Sequence, residues 1–162
     1  MFGLFNEHGP FKVKSDNTLE PRSTTWALTH NMIYIDNPVG TGMSLSLIIT
    51  ISHKTIFMNI YYEYDNIETN RFSGYSFTNS CYATSEKEVA NDLYDALTQF
   101  FQLFNTLKNN DFYVTGESYA GKYVPAISYK IHTSNKLLLK TGRPRDVINL
   151  KVSNCFLCTS VQ

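Results

Sequence analysis

NDFYVTGESYAGKYVPAI, residues 110–127, is the stretch on which the reading of the fold turns. Its first half, DFYVT at 111–115, is a short run rich in aromatic and β-branched residues and predicts a buried strand. From Tyr119 to about His132, Tyr123, Ile127 and Ile131 recur on one stripe, which predicts a helix. Between them, Gly116-Glu117-Ser118-Tyr119-Ala120-Gly121 holds a Gly-x-Ser-x-Gly pattern at a strand-to-helix turn. Such an elbow brings backbone so close that side chains at 116 and 121 would collide, which is why both are glycine. It exposes the Ser118 Oγ and aims the Tyr119 N–H, at a helix N-terminus, where an oxyanion would form. The alternative is an ordinary hydroxyl in a Gly-bounded loop. The flanking strand and helix favour the elbow.

Outward from this stretch the pattern repeats. MIYID at 32–36 is an apolar run that stops at Asn37-Pro38, a second buried strand ending in a tight loop. At Ser85 the period changes: Ser85 with Glu88 forms a capping box, and Val89, Leu93, Leu97, Phe100, Phe101 and Phe104 recur every three or four residues. A helix of about 19 residues is expected there. Pro125 is expected near the first turn of the following helix, where a missing N–H is tolerated. The order strand, helix, strand, helix predicts an α/β layer with a mostly parallel sheet and flanking helices.

Composition narrows the function classes. The 162 residues are 43% hydrophobic and 14% aromatic, which argues against disorder. Fourteen basic residues balance fourteen acidic ones and no basic cluster stands out, so nucleic acid is not an expected partner. The most apolar run, LSLIITI at 45–51, is too short to span a membrane, and MFGLFNEHGPF lacks the basic start of a signal peptide. Three cysteines, Cys81, Cys155 and Cys158, cannot close as a self-contained disulfide framework. The Cys155-Phe-Leu-Cys158 pair lacks the second pair a zinc site needs, so neither metal nor cofactor is expected.

A serine needs a histidine base oriented by a carboxylate. After Ser118 the candidates are His132 and Asp146, in the reverse of the acid-then-histidine order of α/β hydrolases. His132 also lies on the helix leaving the elbow, roughly 20 Å along it, too far to reach back to Oγ. A complete triad is not expected within these residues.

Three blocks together, FNEHGPF at 5–11, YIDNPVGTG at 34–42 and GESYAGKYVP at 116–125, resemble in wording and order the serine carboxypeptidases, and within them the vitellogenic-like branch. The resemblance covers 1–42 and about 75–151. It implies part of an α/β-hydrolase fold, removal of C-terminal residues from peptide or protein chains, and a lysosomal or secretory location. By position it implies that Ser118 is the nucleophile and that Tyr119 gives one oxyanion N–H. It places Glu117, Glu7 and Gly116 at the site holding the substrate's terminal carboxylate. Two close carboxyls cannot both ionise easily, so one keeps a proton and can donate to a third carboxylate.

The chain departs from the family pattern at 43–74, where 32 residues contain no Ala, Val or Pro, and again at 152–162. Gly42-Met43-Ser44 and Lys151-Val152-Ser153 can be encoded with splice-donor-like sequences, and Phe72-Ser73-Gly74 with an acceptor-like one. Two readings stay open: translated intron, or a genuine insertion in which ISHKTIFMNIYY forms β-structure. The expected organisation is a partial carboxypeptidase domain over 1–151, interrupted at 43–74, with a tail at 152–162. The family places a glycine-rich oxyanion segment ahead of Met1 and its aspartate and histidine beyond 162, so a fragment with incomplete catalytic apparatus is expected. The alternatives are a non-catalytic carboxylate-binding module and a non-functional product of an unspliced transcript.

Overall fold

A π-helical turn, Gly3–Glu7, leads into a hairpin formed by β1 (Phe11–Val13) and β2 (Leu19–Pro21). Its loop turns at Asn17, with φ 62°, a left-handed conformation that asparagine tolerates. The Asp16 carboxylate steadies the loop by accepting from the Thr18 N–H at 3.0 Å and hydroxyl at 2.6 Å. This computed structural model describes residues 3–37, 46–48, 55–61, 83–117 and 119–156.

The main sheet has five strands: β3 (Asn31–Asp36), β4 (Ser46–Ile48), β5 (Thr55–Tyr61), β6 (Asp111–Glu117) and β7 (Leu150–Phe156). They lie in the order β4-β3-β5-β6-β7, with β4 antiparallel to β3 and the other neighbours parallel. This is the α/β arrangement with a mostly parallel sheet that the alternating pattern predicts. β5 fills the centre, pairing Asn31–Asp36 with Ile56–Tyr61 on one side and Asp111–Gly116 with Thr55–Ile60 on the other.

Side chains of β3 alternate between two cores, as the period of a strand requires. Ile33 and Ile35 face a large cluster with Phe112 and Val114 of β6 and the apolar stripes of two helices, α1 (Glu86–Leu103) and α2 (Ala120–Lys140). Met32 and Tyr34 face the other way, onto Leu4, Phe5, Trp26 and Ala27 of the N-terminal segment. β3 is thus covered on both faces, as a buried parallel strand demands. Among the described residues no helix is long and apolar enough to cross a membrane.

α1 spans 18 residues, close to the length its periodicity predicts. Ser85 Oγ accepts from the Glu88 N–H at 3.3 Å, while the Glu88 carboxylate reaches one residue past Ser85 to the Thr84 N–H at 2.7 Å. α2 runs to Lys140, beyond the expected end near His132. Its stop signal is Gly142, with φ 73°: the Gly142 N–H donates to the Leu139 carbonyl at 3.3 Å and the Arg143 N–H to Leu138 at 2.8 Å, a Schellman termination. Pro125 is the sixth residue of α2 rather than a first-turn residue, so the helix continues through a position that offers Gly121 no N–H. Asn135 binds both the N–H and the carbonyl of Ile148, at 3.1 and 2.8 Å, tying α2 to the chain entering β7.

Removing residues 43–74 would leave β3 without a strand partner and β6 with an open edge. Unpaired edges invite intermolecular pairing, so the expected product aggregates and shows no single cooperative transition by circular dichroism. A deletion variant that unfolds cooperatively within about 1 kcal/mol of the parent would show the centre of the sheet to be dispensable.

Candidate active site

β6 ends at Glu117 and α2 begins at Ala120, so the chain passes from strand to helix across two residues, as the Gly-x-Ser-x-Gly pattern predicts. Ser118 itself lies outside the described residues. Gly116, buried one residue before Glu117, pairs with Ile60 of β5 and Cys155 of β7, so backbone flanks it on both sides. Tyr119 caps α2 with helical backbone, φ −64° and ψ −18°, and its carbonyl accepts from the Lys122 N–H at 2.9 Å. The start of an α-helix carries the positive end of its dipole, which favours developing negative charge nearby.

Glu117 stands at the carboxyl end of β6, the edge where parallel sheets of this kind place ligands. Its side chain is hydrogen-bonded to that of Glu7, the last residue of the N-terminal π-turn. Burial, the hydrogen bond to Glu7 and the charge of Glu7, in that order, hold the Glu117 carboxyl above its ordinary range. Two ionised carboxylates 4 Å apart repel by ~4 kcal/mol at surface-like screening. An acid donating to a carboxylate instead contributes about 1.5–3 kcal/mol. Glu117 is therefore the member of the pair pushed towards its protonated form.

The backbone that carries Glu7 is closely tied. The His8 and Gly9 N–H groups both donate to the Gly3 carbonyl, at 3.2 and 3.0 Å. Gly9 is required there, because a Cβ would lie 1.9 Å from the Leu4 carbonyl oxygen. Arg22 donates through Nη2 to the Phe5 carbonyl at 2.5 Å and through Nε to Phe11 at 3.2 Å. The His8 carbonyl accepts from Thr25 Oγ1 at 2.7 Å and from the Trp26 N–H at 3.1 Å. His8, which motif reading passes over, stacks on Trp26 and meets the Tyr34 hydroxyl. Its position inside Glu7-His8-Gly9-Pro10 is the only signal in the sequence that could have singled it out.

The downstream histidine and acid are not gathered to this edge. His132 is exposed on α2, about 18 Å along the helix from Ala120. Asp146 is engaged elsewhere, with Arg143 Nη2 at 2.7 Å and Lys108 Nζ at 3.5 Å.

The family model described as "Serine carboxypeptidase" matches residues 1–55 and 67–153. The chain belongs to the serine carboxypeptidase family. The match passes over 56–66, which includes most of β5. The human protein named probable serine carboxypeptidase CPVL is 49% identical over 137 residues, covering 83% of this chain and 22% of that protein. Venom serine carboxypeptidase of Apis mellifera is 44% identical over 135 residues, and vitellogenic carboxypeptidase of Aedes aegypti 38% over 134, with the same coverage of 83% and 22%. The chain thus spans about a fifth of the length of these relatives. Among solved structures, the prohormone-processing carboxypeptidase Kex1(delta)p of Saccharomyces cerevisiae is similar with a TM-score of 0.70 at 26% identity, covering 96% of this chain and 27% of that one.

Linkage gives the shared proton a measurable signature. A carboxyl raised in the fold contributes stability that is complete below the ordinary value of 4.5 and is lost as pH rises through the folded value. His8, held below 6.5 mainly by burial, acts in the opposite sense, losing stability as pH falls. The difference between the parent and Glu117→Gln isolates the pair. In urea melts the parent is expected to gain on the variant as pH falls from 7 to 4.5; a difference independent of pH would remove the shared proton from the account.

Proposed function

We propose that these residues form the substrate-carboxylate recognition part of a serine carboxypeptidase, with Glu7 and Glu117 holding the terminal carboxylate of a peptide and Gly116 lining that edge. The observation that carries the reading is the Glu7–Glu117 hydrogen bond one residue before Ser118. A peptide's C-terminal carboxylate is an acceptor only, so it needs donors. A carboxyl that retains its proton supplies one, and does so best at acid pH, which suits a lysosomal or secretory setting.

Ser118 is the nucleophile in this reading. Its Oγ would add to the carbonyl of the last peptide bond, its proton passing to a histidine base, while the oxyanion takes the Tyr119 N–H at the start of α2. Binding of the terminal carboxylate beside Ser118 explains why a single residue would be removed from the end of the chain rather than from its middle. In this reading neither His132, exposed on α2, nor Asp146, paired with Arg143 and Lys108, serves as the base or its orienting acid.

Residues 1–162 alone are therefore expected to bind without hydrolysing. Calorimetric titration at pH 5 with an N-blocked dipeptide free acid should give saturable heat, absent with the C-terminal amide and in Glu117→Ala, and the recovered dipeptide should be intact. Equal binding of acid and amide would defeat carboxylate recognition. Release of a free amino acid that stops in Ser118→Ala would show the hydrolytic groups to be complete.

A further inference from the structure

Glu7 owes its position to the residue after it. The His8 ring lies flat against Trp26, centroids 4.1 Å apart at 11°, and its Nδ1 is 3.1 Å from the hydroxyl of Tyr34. Tyr34 is 2% exposed, fixed in β3 among Leu4, Ala27 and Met32. The His8 backbone is held on both sides as well, its N–H on Gly3 and its carbonyl under Thr25 and Trp26. The side chain of the preceding residue, Glu7, meets Glu117.

We propose that His8 is a positioning residue for the carboxylate pair: braced by Trp26 and Tyr34, it aims Glu7 across the end of the sheet so that the two carboxyls share one proton. Its imidazole touches neither peptide nor nucleophile in this scheme and acts through Glu7. The inference deepens the carboxylate-recognition reading, though its test needs no peptide.

The charged and titratable groups around the ring are Glu7, Arg22 and Tyr34. Burial disfavours the imidazolium, Glu7 favours it and Arg22 opposes it, with burial the largest effect. Burial also holds the Tyr34 phenol protonated far above its usual range. The neutral ring can then accept the Tyr34 proton at Nδ1 and carry its own on Nε2. A cation at position 8 would instead compete with Glu117 for the Glu7 carboxylate and weaken the acceptor that keeps the Glu117 proton in place. A braced neutral ring avoids that competition.

The test is a titration of Glu117 in the full 162-residue chain, followed by the carbon-13 shift of its side-chain carboxyl. Tyr34→Phe removes only the hydroxyl that meets His8, and His8→Phe keeps a flat ring for Trp26 but loses the polar contact. Both should move the Glu117 midpoint down towards the ordinary carboxyl range by about half a unit or more. Leu107→Val, which loosens the other core without touching this edge, should leave it in place. Should His8→Phe fail to fold, Tyr34→Phe decides alone. A folded Tyr34→Phe whose Glu117 titrates within about 0.2 unit of the parent overturns the assignment. Absence of peptide binding in the parent would instead sink the functional reading and leave this one standing.

Discussion

Two carboxyl groups, Glu7 at the end of an N-terminal turn and Glu117 at the end of β6, are hydrogen-bonded to one another, and a proton must stay with them for that bond to exist. Much of the surrounding structure serves this arrangement. Gly9 lets the backbone fold tightly over Leu4, Arg22 pins the Phe5 carbonyl, and Thr25 and Trp26 hold the carbonyl of His8. These contacts belong to the N-terminal segment, whereas Glu117 is delivered by a strand paired on both sides within a parallel sheet. The pair is the point at which the two meet.

The placement has a chemical consequence because of the residues on its C-terminal side. One residue beyond Glu117 is Ser118, and two beyond that α2 begins, so the raised carboxyl, the serine and a helix N-terminus follow one another in sequence. The geometry is set by β6 and α2, whose apolar faces, Phe112, Val114, Tyr123 and Ile127, are buried in one core with α1. Buried side chains of this kind cost about 3–5 kcal/mol to truncate when they are large, so the flanking strand and helix are firmly anchored in the core.

The parts of the fold legible in the sequence are those with a period. The Ser85 cap and the stripe from Val89 to Phe101 define α1, and the alternation along β3 divides its residues between two cores. The end of α2 was not legible from the stripe, because the residues after His132 remain compatible with helix until Gly142, where a positive φ becomes necessary. Pro125 misled in the same way: tertiary packing of α2 outweighs the hydrogen bond that proline removes. The contact between positions 7 and 117 has no local signal at all, and only a motif-level resemblance brings those two residues together. The contact of His8 with Trp26 and Tyr34 had no local signal, since stacking and a hydrogen bond across 26 residues depend on how the N-terminal segment crosses β3. The central position of β5 could not be read either, because residues 56–61 lie in the stretch that the family model passes over.

The count of protons taken up on ligand binding reports on the shared proton most directly. Titrating an N-blocked dipeptide free acid into the chain at pH 7, in two buffers of different ionisation heat, measures it as the difference between the two observed enthalpies. A third carboxylate joining Glu7 and Glu117 must be accompanied by a proton, so the account predicts net uptake approaching one per ligand bound, reduced in Glu117→Gln. Binding with the same enthalpy in both buffers would contradict it.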